Sequence, residues 1–111
     1  MRRGEVHWVY FPHSGTGSEI AKTRPAIILT ADSLLGRVAR VQVVPLTSNT
    51  SRVFAGEAIV TVRGRAGRAL ASQIATVDAA RVLGYYDRLS EEDLAAVEAA
   101  VCAQLGLPSG E

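Results

Sequence analysis

Apolar and polar residues alternate in short runs as far as Leu89, and beyond it the spacing lengthens to that of a helix. Glu5-Val-His-Trp-Val-Tyr-Phe11 is rich in aromatic and β-branched residues and predicts a first strand, ended by Pro12. A long polar segment with glycines runs to Arg24, after which Pro25-Ala-Ile-Ile-Leu-Thr30 predicts a second strand. Asp32-Ser-Leu-Leu-Gly36 reads as a short helical or turn connection. Arg40-Val-Gln-Val-Val-Pro-Leu-Thr47 predicts a third strand, and its Pro45 suggests an edge position or a bulge. Ser48 to Arg52 is a loop, Glu57 to Arg63 a fourth strand, and Arg65-Ala-Gly-Arg68 a turn. Alanine-rich Ala69 to Val77 and then Val82 to Leu89 supply two further strands.

The tail follows a different period. Ser90 is placed to cap a helix, with Asp93 at its third position and Glu91 and Glu92 at its positive end. Leu94, Val97, Val101 and Leu105 recur at i, i+3, i+7 and i+11, one apolar stripe. Gly106 ends the helix and Pro108 prevents its continuation. Cys102 adjoins the stripe as a small packing residue. Five or six short strands and one C-terminal α-helix imply a mainly β fold, a small and strongly curved sheet or partly open barrel. The connection before Arg24 is long, and connections beyond about 12 residues inside a compact domain tend to be functional.

At 111 residues the chain is expected to form a single domain, 1–111. Apolar residues make up 48% and charged ones 21%, which argues against wholesale disorder. No run reaches the roughly 18 apolar residues of a membrane span, and Met1-Arg-Arg-Gly-Glu5 leads into no signal-peptide core, so no membrane partner is expected. One cysteine fits a reducing compartment, and cytoplasm is the expected location. The net charge of +1 hides a division: residues 1–70 hold ten Lys or Arg against four acids, residues 71–111 two against seven. The first part therefore offers a basic face to a polyanion, or the two signs are simply segregated on solvated surfaces.

Gly15-Thr-Gly-Ser-Glu-Ile-Ala-Lys-Thr-Arg-Pro25 invites comparison with a phosphate-binding loop. The G-x-x-x-x-G-K-[ST] pattern, counted back from Lys22 and Thr23, requires glycines where Thr16 and Ala21 stand, and a strand follows in place of a helix. A single cysteine and two histidines give no recognisable metal-ligand set, and no G-x-S-x-G elbow accompanies them. His7 and His13 would lie roughly 20 Å apart on an extended chain, too far to share one phosphate, so His7 reads as a surface or sheet-face residue. Arg24 is better placed. Pro25 biases its backbone toward extended conformations, and its planar fork suits two phosphate oxygens. Thr47 opens a cluster of hydroxyl and amide residues with Ser48, Asn49 and Thr50 at the mouth of the third strand.

Five segments in order, RGEVHWVYF, GSEIAKTRPAIIL, VVPLTSNT, SQIATVDAARV and LSEEDLAAVEAAVCAQLGL, resemble successive signatures of the MazF/PemK toxins, covering Arg3 to Leu107. The resemblance implies a small SH3-like barrel with a terminal helix. It implies a sequence-specific endoribonuclease that cleaves single-stranded RNA without a metal or other cofactor, forms a homodimer and is neutralised by a cognate antitoxin. It places the catalytic arginine on Arg24 and the catalytic threonine on Thr47. Gly17-Ser18-Glu19 falls on the loop that closes over RNA, and Ser18, Glu19, Lys22, Ser48, Asn49 and Gln73 become candidate RNA contacts. The implied reaction is attack by a ribose 2′-OH on its own 3′-phosphate, leaving a 2′,3′-cyclic phosphate and a 5′-OH.

Two positions depart from the family pattern: Ser72 stands where relatives often carry an acid, and Ala75 where they carry arginine. Both leave Arg24 and Thr47 untouched and bear on base preference or the dimer surface. Two readings of other classes compete. A gyrase-poisoning toxin of the same fold relies on an aromatic at the end of its last helix, whereas this chain ends Leu107-Pro-Ser-Gly-Glu111. A non-catalytic SH3-like interaction module requires an exposed aromatic groove for peptides.

Overall fold

Antiparallel pairing accounts for every strand contact in the computed structural model, which describes residues 1–12 and 22–108. Ser18, Glu19 and His13 lie outside the described residues. The strands are β1 (Glu5–Phe11), β2 (Lys22–Ile28), β3 (Arg40–Thr47), β4 (Ala58–Val62), β5 (Arg65–Ala69), β6 (Ala75–Asp78) and β7 (Val82–Arg88), followed by helix α1 (Glu91–Leu105). They form one curled sheet in the order β4-β5-β3-β2-β1-β7, with β6 beside the first half of β3.

Seven strands among the described residues exceed the expected five or six, and the extra one comes from Arg65-Ala-Gly-Arg-Ala69. That segment is not a turn. The chain reverses one step earlier at Arg63-Gly64, where φ is +51° and +76° and Val62 pairs with Arg65. Positive φ at both central residues marks a type I′ hairpin, whose twist matches the flanking strands and which Gly64 tolerates without a Cβ clash. Ala69 to Val77 is likewise not one strand: a 3₁₀ turn at Ala71–Gln73 separates β5 from β6. Both of those strands pair with the same side of β3, so the chain must step sideways between them.

That step also explains Pro45, which is not at an edge. β3 lies inside the sheet, with β2 on one side and β6 then β5 on the other. The N and O atoms of a strand residue point to the same side, and the Pro45 carbonyl accepts Leu70 N–H at 2.9 Å on the β5 side. Its missing N–H therefore falls at the junction where β6 has ended and β5 has scarcely begun, and no ladder bond is lost.

Two apolar clusters cover the two faces of the sheet. The larger packs Val6, Ile27, Val44, Leu46 and Val60 against Val97 and Ala100 of α1. The smaller gathers Val9, Ala26, Ile28, Val41, Val43 and Val77. Strands β2 and β3 contribute to both, which is why they read as continuous apolar runs. The helix forms as its sequence requires: Ser90 Oγ accepts Asp93 N–H at 3.0 Å, and Gly106 closes it at φ +70° with Leu107 N–H donating to Cys102 O at 2.8 Å. Asp93 also accepts Thr61 N–H at 2.8 Å, and Asp87 accepts Arg63 N–H at 2.6 Å. One carboxylate thus occupies a donor of the outer strand β4 and another a donor of the turn that follows it, which limits the use of β4 as a pairing edge.

Candidate active site

Strand β2 begins at Lys22, earlier than Pro25, because its ladder with β1 continues through Arg24↔Val9 and Thr23↔Tyr10 to Lys22↔Phe11. Arg24 is therefore held in a strand and does not end a loop. On the other side β2 pairs with β3 through Ile28↔Val43, Ile27↔Val44 and Ala26↔Pro45. That ladder ends at Ala26↔Pro45, and beyond it β2 runs on to Lys22 and β3 to Thr47.

Here the sheet opens into a groove of about 400 Å³. One part of its wall is polar and cationic: Lys22, Arg24 and Arg65, with the hydroxyls of Thr23, Thr47 and Ser48. The other part is apolar, built from Pro25, Leu46, Val62 and Tyr86. No carboxylate lines it among the described residues. Both Arg24 and Thr47 are half-buried, so each keeps contact with solvent while its backbone is fixed by the sheet. Thr47 Oγ1 accepts Asn49 N–H at 3.3 Å, which uses a lone pair and leaves its own O–H proton available to a ligand.

The expected site residues divide accordingly. Arg24, Thr47, Lys22 and Ser48 share the groove. Asn49 adjoins it, with its side-chain carbonyl accepting from Ser51 N–H at 3.1 Å and Ser51 Oγ at 2.7 Å, so it also shapes the loop after β3. Gln73 is exposed on the 3₁₀ turn, outside the groove lining. Arg65 and Tyr86 complete the groove, and Tyr86 was not a sequence candidate. A tyrosine in an alternating strand signals a sheet face without saying which face, and only the fold brings it beside Arg24.

Tyr86 is held from several sides. The Arg63 guanidinium lies over its ring at 4.6 Å, Arg63 Nε donates to its carbonyl at 2.8 Å, and Trp8 meets it edge-on at 5.1 Å. His7 lies elsewhere and is a buried sheet-face residue, not a surface one: Nε2 is 2.9 Å from Glu5 Oε1 and the ring packs edge-on to Tyr85. Burial pushes the Glu5 carboxyl up, but hydrogen bonds from His7 and Arg2 N–H, with the nearby positive charge, hold it below the usual carboxylate range.

Comparison with known proteins addresses the whole of this architecture. MazF from Deinococcus radiodurans superposes with a TM-score of 0.80 at 24% identity, over 96% of this chain and 97% of that one. An endoribonuclease in complex with its cognate antitoxin from a mycobacterial species gives 0.77 at 22%, over 97% of both chains. The Mycobacterium tuberculosis toxin MazF-mt6 gives 0.76 at 20%, over 94% of this chain and 98% of that one. These likenesses establish the fold. No curated protein sequence matches. The sequence profile of the PemK-like, MazF-like toxins of type II toxin–antitoxin systems matches residues 2–105, and the chain belongs to that family.

Proposed function

We propose that the protein is a metal-independent endoribonuclease toxin that cuts single-stranded RNA, messenger RNA included, in the groove holding Arg24 and Thr47. The observation that carries this reading is the groove itself: three cations and three hydroxyl side chains line it together with apolar Pro25, Leu46 and Val62 and the ring of Tyr86, and no acid is in its lining among the described residues. Such a site suits a polyanion with apolar bases and not a neutral peptide.

RNA brings its own nucleophile. The 2′-OH attacks the adjacent phosphorus, the P–O2′ bond forms and the P–O5′ bond breaks. The 2′-OH proton passes to water, and the departing 5′-oxygen takes a proton in turn. The products are a 2′,3′-cyclic phosphate and a 5′-OH. The protein's part is alignment and charge stabilisation. Arg24 presents a planar fork to the equatorial oxygens as negative charge gathers there, and Thr47 donates its remaining hydrogen bond to the same oxygens. Arginine, with a pKa above about 12, serves as an electrostatic clamp and not as the base. Lys22, Ser48 and Asn49 hold the flanking backbone, and Ser18, Glu19 and Gln73 add contacts outside the described groove. The active form is a homodimer in the cytoplasm, silenced when a cognate antitoxin occupies the groove. The mycobacterial relative in complex with its cognate antitoxin supports an antitoxin as a partner.

The test is incubation of a defined long RNA with the protein in excess chelator, with mapping of the new ends. Ends that a polynucleotide kinase labels directly, lost when the scissile ribose is 2′-deoxy, are expected. Intact RNA would favour the non-catalytic or gyrase-binding alternatives, and cleavage of the deoxy substrate would refute the chemistry.

A further inference from the structure

The loop between β3 and β4 presents one aromatic ring to solvent in a held conformation. Phe54 is 53% exposed. Single exposed apolar residues are ordinary on protein surfaces, so exposure alone decides nothing. Its surroundings are what set it apart. Phe54 N–H donates to Glu57 Oε1 at 2.9 Å and Phe54 O accepts Glu57 N–H at 3.2 Å, so the backbone on either side of the ring is fixed. Glu57 in turn lies 3.5 Å from Arg68 Nε, with side-chain exposures of 7% and 14%. The Arg68 guanidinium also donates to Arg52 O. A nearly buried ion pair adds little net stability, because desolvation offsets most of the attraction. Its effect here is geometric: it holds the loop so that the ring stays outside.

Charge defines what the ring faces. The Arg52 guanidinium lies 5.2 Å from the ring centroid and that of Arg68 5.9 Å. Arg68 belongs to β5 directly opposite Thr47, an interstrand spacing of about 5 Å. The ring is thus one arginine side chain away from the strand position that carries Thr47. An aromatic face flanked by cations, next to a groove for a phosphate backbone, is the arrangement that stacks nucleobases in single strands.

We infer that Phe54 is a stacking platform for a base close to the cleaved phosphate, with Arg52 on the neighbouring backbone, and that Arg68 and Glu57 position it. This rests on the RNA-binding part of the reading above. It adds a specificity-determining residue that no groove contact supplies.

The experiment measures binding of the full chain to short 2′-O-methyl oligonucleotides, which no 2′-OH attack can cut. The tightest binder of a small mixed-sequence set is then carried forward. Phe54→Ala should bind about ten-fold more weakly, within the range for losing one base stack, and Phe54→Trp should restore the affinity. Abasic residues walked through the oligonucleotide should reveal one position where wild type loses about ten-fold and Phe54→Ala loses almost nothing. Equal affinity of wild type and Phe54→Ala, or identical abasic losses in both, would overturn the inference. So would an unchanged RNA affinity accompanied by weaker inhibition by antitoxin, since the ring would then serve the protein partner. Cleavage is scored separately on all-ribose RNA. Binding with the coupled loss but no cutting would support the platform while refuting the nuclease, and failure to bind RNA at all would overturn both.

Discussion

In the proposed reaction Arg24 and Thr47 act through two groups that differ in what a substitution removes. Arg24→Ala should lower the cleavage rate about 10²-fold or more, the size of losing one strong transition-state donor, while RNA affinity falls much less because Lys22 and Arg65 remain. Arg24→Lys should recover part of the rate, since a point charge cannot reproduce a two-pronged contact. Thr47→Ser should keep most activity and Thr47→Val should lose it, the methyls matching in shape while the hydroxyl is gone. Single-turnover rates on one RNA settle both series, and full activity in a folded Arg24→Ala protein would refute the assignment. Asp87 tests a structural residue in the same way. Backbone hydrogen bonds from Arg63 and Arg88 are the main cause holding its carboxyl below the usual range, helped by the Arg63 charge and opposed by burial. Because the folded pKa is depressed, its contribution is present above the ordinary aspartate range, near pH 4, and is lost as pH falls through the folded value. Asp87→Asn should therefore be less stable at neutral pH and show a shallower loss below about pH 4 in acid-denaturation curves.

Elements whose signals are local were legible in the sequence. β1 and β3 were read to the residue, and α1 with Ser90 and Gly106 at its ends, because alternation and capping are written in neighbouring residues. Ser90→Ala should cost about 1 kcal/mol of stability in urea titrations, and an unchanged midpoint would show that packing of Val97 and Ala100 alone sustains the helix. β5 was missed for the opposite reason. Arg-Ala-Gly-Arg-Ala has no β-branched residue and becomes a strand by pairing with β4 and β3, a tertiary effect. The Arg63-Gly64 reversal hid behind a fourth strand that was read one residue too far, to Arg63. The site shows the same division. Arg24 and Thr47 came from the resemblance, Arg24 with support from its place before Pro25, but that both line one groove is a product of the folded sheet. Tyr86 and Arg65 reach the groove only through the hairpin and the curl of the sheet, which no local pattern encodes.

At the scale of the whole molecule, charge and assembly decide how RNA is held. The proposed homodimer should appear in sedimentation at micromolar concentration, and a fully active monomer would remove it from the mechanism. Of the ten cations over residues 1–70, Lys22, Arg24 and Arg65 line the groove. Each phosphate neutralised on a single strand contributes about −0.7 to the slope of log affinity against log salt, so three contacts predict a slope of about −2 per groove. Arg65→Ala should weaken binding across all sequences alike and flatten the slope by about 0.7, because a backbone contact carries no base information. The antitoxin is expected to enter the same groove with an acidic, apolar segment that folds as it binds. Its affinity should then fall with salt in parallel with that of RNA, and the two should exclude each other in competition by fluorescence anisotropy. An antitoxin that blocks cleavage while labelled RNA stays bound would place its site elsewhere, and inhibition would have to act through the sheet and not through the groove.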